Sequence, residues 1–187
     1  MESRAKLLGH PIHQMLIVFP LGLLATAVIF DVIGLFRGGD WGQMAYYMIA
    51  AGIIGGLVAA VFGLLDFLAI PRGTRARQVG LLHGVGNVLV IALFAASWLL
   101  RRPSPAEPAV EALVFSFLGF FLAAATGWLG GELVDRLGVG VDNGAHLNSP
   151  SSLSGRPASE GRSMSGFKGP ERRVGAEPAY AGGERRR

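Results

Sequence analysis

The chain has 187 residues, 51% hydrophobic and 16% charged, with a mean hydropathy of +0.44, a balance that excludes an ordinary soluble domain. It holds no cysteine, which excludes disulfides, thiolate metal sites, iron–sulfur clusters and covalently attached c-type haem, so any metal must rest on His, Asp or Glu. The net charge of +4 resides in the tail: residues 1–142 carry nine Lys/Arg against nine Asp/Glu, and residues 143–187 carry eight against four.

Four apolar stretches, at residues 12–36, 44–70, 80–100 and 109–134, each meet the roughly 20 residues needed to cross a bilayer at about 1.5 Å per residue. The first begins within GHPIHQMLIVFPLGL, with His10 and His13 at its mouth. Pro20 lacks the amide hydrogen that would bond the Leu16 carbonyl, so a kink is expected in this helix. Ala25-Thr26-Ala27 resembles a signal-peptide cleavage site, but the apolar run continues well past it. Asp31 stands about five helical turns after His13 and so points the same way from the opposite end.

In the second stretch Gly52, Gly56, Ala59 and Gly63 form a small-residue stripe that lets another backbone approach closely, and Asp66 shares that face. The third carries a polar stripe of His83, Asn87 and Ser97. The fourth repeats the small-residue pattern with Gly119, Ala123, Thr126 and Gly130, and ends at Glu132, on a different face. Gly130-Gly131 is a candidate end of that helix.

Beyond Asp142 the Gly-, Ser-, Pro- and Arg-rich chain cannot bury enough apolar surface to offset its conformational entropy, so 143–187 is expected to be a disordered, basic cytoplasmic tail, inert or weakly attracted to anionic lipid headgroups, rather than a nucleic-acid partner. The N-terminus, the second loop and the region after the fourth stretch hold fourteen Lys/Arg against three in the other two loops. Both termini are therefore expected in the cytoplasm of a bacterium, with the chain in its inner membrane.

An ionisable side chain within a span is costly enough to be a candidate site by default. His10, His13, Asp66, His83 and Glu132 all fall at the cytoplasmic end, whereas Asp31 lies toward the outer surface. Each has a structural alternative. His10 precedes Pro11 and suits a helix entry; His13 and His83 suit interfacial hydrogen-bonded histidines. Asp66 suits an ion pair with Arg72 or Arg75, and Asp31 one with Arg37. Convergence of His13, His83 and Asp66 from three spans favours a shared role.

Imidazoles on two facing helices can supply both axial ligands of a b-type haem, and His13 with His83 is the expected pair, Asp66 or Asn87 fixing a ring tautomer. Alternatively His10, His13, His83, Asp66 and Glu132 supply ligands suited to a transition metal. A proton or cation pathway through His13, Asp66 and His83 stays open, although four short spans without an obvious repeat argue against a complete transporter. So does a purely structural role, the polar cluster holding four helices in register. No serine elbow, P-loop or dinucleotide fingerprint is present.

The motifs GHPIHQMLIVFPLGL, FDVIG, GLLDFLAIPRGTRAR, LLHGVGN and GWLGGELVDRLGVGV, in this order from Gly9 to Val141, resemble the signatures of a bacterial membrane-protein family, domain of unknown function 2231. The resemblance implies a four-span domain, and the association of relatives with redox modules implies haem or electron transfer. His10, His13, Asp31, Asp66, His83, Asn87 and Glu132 fall on the family's motif positions. Gln14 departs where relatives have a second proline, and Asp135 and Leu137 stand in place of a tyrosine and a histidine. The expected protein is thus an all-α, integral membrane four-helix bundle spanning 1–142. Its expected partners are the lipid bilayer, redox proteins and a second copy of itself. A non-catalytic accessory role is the competing expectation.

Overall fold

The computed structural model describes residues 1–161. Two short antiparallel strands, Lys6–Leu7 and His10–Pro11, fold the N-terminal segment back on itself ahead of four long helices. The first span is Ile12–Arg37, the second Trp41–Ala69, the third Arg75–Arg101 and the fourth Val110–Arg136. In no span is more than 28% of the most apolar window buried inside the chain, so the remaining apolar surface must face hydrocarbon. The fold is the all-α membrane bundle that the apolar runs imply.

Local chemistry explains the helix ends. The third span starts at Arg75, five residues earlier than hydropathy indicates, because the Thr74 hydroxyl caps it by accepting the Arg77 backbone N–H at 3.2 Å. Gly38 and Gly39, at φ of 60° and 82°, make the tight turn into the second span. Where Pro20 predicts a kink, the first span is interrupted at Ile17, between Ile12–Leu16 and Val18–Arg37. The fourth span does not stop at Gly130-Gly131; it continues into a π-helical turn over Glu132–Arg136.

The core is built from glycine notches. Leu24 of the first span seats on Gly52 of the second, where an added Cβ would lie 2.6 Å from it. Phe94 of the third seats on Gly119 of the fourth, where the same atom would lie 2.9 Å from the ring. Leu24, Ala27, Val28, Ala45, Ile49, Val90 and Phe94 form one buried cluster joining the first three spans, with Phe117, Phe120, Leu122 and Ala123 of the fourth packed against it.

These notches reveal an internal repeat that the sequence does not display. A shift of 70 carries His13 to His83, Leu24 to Phe94 and Asp31 to Arg101; a shift of 67 carries Gly52 to Gly119, Ala59 to Thr126 and Gly63 to Gly130. The same contacts recur at the shifted positions. The bundle is therefore two helical hairpins of one design, with the first and third spans running in parallel. The expectation of no obvious repeat is corrected: some counterparts keep their residue, as His13 and His83 or Gly63 and Gly130 do, while others, such as Leu24 and Phe94, share only a place in the packing.

Residues 143–161 form a separate unit of turns, closed by Ser149 Oγ donating to the Ala158 carbonyl at 2.7 Å and by an Arg156–Glu160 ion pair. The rest of the expected tail, 162–187, lies outside the described residues.

Candidate functional site

Proximity to Pro20 and the Ile17 interruption leaves His13 on a short first turn that leans on the second span. Its Nδ1 lies 2.9 Å from the Ala59 carbonyl, and its ring covers Gly63, where a Cβ would meet Cε1 at 2.8 Å. The notch has no side chain because the ring fills that space. His83 repeats the arrangement on the fourth span: Nδ1 lies 2.8 Å from the Thr126 carbonyl, and the Gly130 Cβ position lies 3.1 Å from Cε1.

A carbonyl can only accept, so each ring donates through Nδ1–H, and in the neutral imidazole that tautomer leaves Nε2 as the acceptor. Backbone carbonyls thus fix both tautomers, in place of the carboxylate or amide expected to do so. Asn87 has a different part: its side-chain N–H₂ donates to the His83 carbonyl at 2.9 Å and lies 3.2 Å from His83 Nε2, while its Oδ1 accepts from Thr126 Oγ1 at 3.2 Å. Each ring is seated in its own hairpin.

Asp66 does not pair with Arg72 or Arg75. Ser3 Oγ lies 2.7 and 2.8 Å from its two carboxylate oxygens, and the Arg4 backbone N–H donates to Oδ1 at 2.8 Å. The strand pair makes this possible, since Ile12 N–H bonds the Ala5 carbonyl and brings residues 3–5 over the end of the second span. Arg75 instead pairs with Glu132 at 2.6 Å, joining the start of the third span to the end of the fourth. His10 lies exposed in the second strand, outside the span it was expected to open. Among the described residues, no three His, Asp or Glu side chains lie close enough to share a metal ion, so the five expected metal ligands are not assembled.

The most completely buried polar centre is at the other end. Asp31, expected near Arg37, pairs with Arg101 across the two hairpins: Nη1 to Oδ1 at 2.7 Å and Nη2 to Oδ2 at 2.6 Å, with both side chains 0% exposed. Arg101 also donates from Nε to Ser97 Oγ at 3.1 Å and from Nη2 to Ser116 Oγ at 3.0 Å. Ser97 in turn donates to the Ala112 carbonyl at 2.7 Å. This arrangement meets the condition for burying an ion pair, with bidentate geometry and two serine hydroxyls accepting further guanidinium N–H groups.

Sequence reasoning counted Arg101 as a loop charge. The missed signal was its spacing: it stands as far past His83 as Asp31 does past His13, and Ser97 already marked that face as polar.

A family model, DUF2231, described as a predicted membrane protein, matches residues 9–143. The chain belongs to this family. The DUF2231 match spans all four helices and ends at the first residue of the tail. No curated protein and no solved structure matches the chain. The chain is a multi-pass membrane protein of DUF2231, in contact with the lipid bilayer.

Proposed function

We propose that the protein is a non-catalytic accessory module of the bacterial inner membrane, with both termini in the cytoplasm, whose intramembrane polar groups join helices. The observation that carries this reading is the Asp31–Arg101 pair, which spends a full positive and a full negative charge on holding the two hairpins together. His13, His83, Asp66 and Glu132 support it in the same way, each bonded to a partner from another helix or from the N-terminal segment. The sidedness rests on the Lys/Arg distribution.

A second reading, a b-type haem or redox-metal module, is favoured by one feature: both rings donate through Nδ1, the form in which an imidazole offers Nε2 to a metal. Full-length protein supplemented with haem, and separately with iron, copper and zinc, tests both. The accessory reading expects no Soret band and no retained metal by elemental analysis, with His13→Ala and His83→Ala changing stability alone. A stoichiometric Soret band or metal, lost in either variant while the helical circular dichroism persists, overturns it in favour of the second. A pH-dependent flux in liposomes that vanishes with Asp66→Asn overturns both.

A further inference from the structure

We infer that the seam between the first and fourth spans binds one hydrocarbon chain of a phospholipid whose headgroup carries an ammonium. The repeat gives the bundle two equivalent seams, second against third span and first against fourth, and they are closed differently. In the former, Trp98 stacks on Tyr46 with ring centroids 5.3 Å apart, and the Arg102 guanidinium lies 4.9 Å over the indole. The corresponding positions in the other seam are Val28, Leu113 and Val32. Three large side chains are replaced by three small or aliphatic ones, and the first-to-fourth seam is left as a groove of about 450 Å³.

That groove has an all-apolar lining that includes Ala25, Val28, Ile29 and Val32 on one wall and Phe117 and Phe121 on the other. Its volume falls within the roughly 300–1,000 Å³ of ligand pockets. It lies between two membrane-spanning helices, where the available apolar occupant is an acyl chain. An open seam in this position would otherwise forfeit dispersion contacts along its whole length.

The charge around its end selects the headgroup. At the Asp31 end the same two helices border a second recess of about 280 Å³, lined by Asp31, Gly34, Asp40, Gly42 and Glu107 among others, and by no Lys or Arg. Asp31 is neutralised by Arg101. Among the described residues, Asp40 and Glu107 have no ion-pair partner, and both are exposed. Their carboxylates attract an ammonium and repel an anionic headgroup.

Full-length protein, delipidated in mild detergent and offered phosphatidylethanolamine or phosphatidylglycerol, tests this by native mass spectrometry. Phosphatidylethanolamine is expected to bind at one per chain and be retained roughly fivefold or more over phosphatidylglycerol. Val28→Trp, which restores the counterpart's plug, is expected to abolish retention. Val32→Phe, at a half-exposed position, gives the same readout should the first variant not fold. Asp40→Asn with Glu107→Gln is expected to erase the headgroup preference while acyl binding persists. Equal retention of the two lipids by the unaltered chain, retention unaffected in a folded groove-filling variant, or a dimer that dissociates when the groove is filled, would each overturn the inference, the last assigning the seam to a second copy.

Discussion

Arg101 is the side chain on which the molecule most depends. Removing one member of a buried ion pair leaves the other charge desolvated and uncompensated, at a typical cost of about 3–5 kcal/mol. Arg101→Met is therefore expected to destabilise the bundle by that order, read as a shift in the unfolding midpoint in detergent. The double variant Asp31→Leu with Arg101→Met should recover most of the loss, because two apolar residues of similar volume leave no charge behind. Asp31 was legible as an inward-facing group from its spacing to His13. Its partner was not, since a helix face constrains which way a residue points but not which of several arginines it meets.

Among the helical elements, the glycine notches set how closely the spans approach. Gly63→Ala would place a Cβ 2.8 Å from His13 Cε1, so the ring must leave the notch and its bond to the Ala59 carbonyl. Overpacking of this kind costs about 1–3 kcal/mol. Gly22→Ala, in the first span with open space around it, serves as the contrast. It is expected to be neutral or stabilising by up to about 1 kcal/mol through helix propensity. Thermal unfolding of the two variants side by side checks the difference. The small-residue stripes were readable as contact faces from their spacing, and they are. The identity of what fills them, Leu24, Phe94 and two imidazoles, was not, because the same notch admits any side chain of suitable width.

Two predictions concern the whole molecule. The Asp31–Arg101 pair sits on equivalent positions of the two hairpins, so exchanging the charges, Asp31→Arg with Arg101→Asp, keeps the geometry of the pair. It should restore only part of the stability lost in either single change. The hydroxyls that complete Arg101, Ser97 and Ser116, have Ala27 and Ile49 as counterparts, which offer no acceptor to an arginine at 31. Full recovery in an unfolding series would show that the serines are dispensable.

The second concerns the N-terminal segment, tied down in part by Lys6, which bonds Asp142 and Glu2. The hydrogen bond to Asp142 foremost, with Glu2 adding to it, holds the Lys6 ammonium above its ordinary 10.5. A raised lysine pKa contributes stability that is fully present below 10.5 and is lost as pH rises through the folded value. A dye on Leu8→Cys, the sole cysteine, is expected to keep its anisotropy up to pH 10.5 and to lose it as the pH rises beyond that, through the raised value of Lys6. Lys6→Gln should lower the anisotropy at neutral pH and remove the alkaline step.

The sequence by itself determined that the chain crosses a membrane four times as helices, because backbone groups in hydrocarbon must bond within their own segment and each apolar run is long enough to do so. It also marked which residues on each helix face inward, through the helical period. Only the tertiary structure decided which inward-facing groups meet. Partner choice depends on how hairpins approach one another, and the repeat that governs this is written in part in positions whose residues differ: Asp31 and Arg101, Leu24 and Phe94, Ala59 and Thr126. Packing constrains volume and direction far more than chemical identity, so two halves of one design can differ at most positions and still pair a carboxylate with its guanidinium at one end of the bundle.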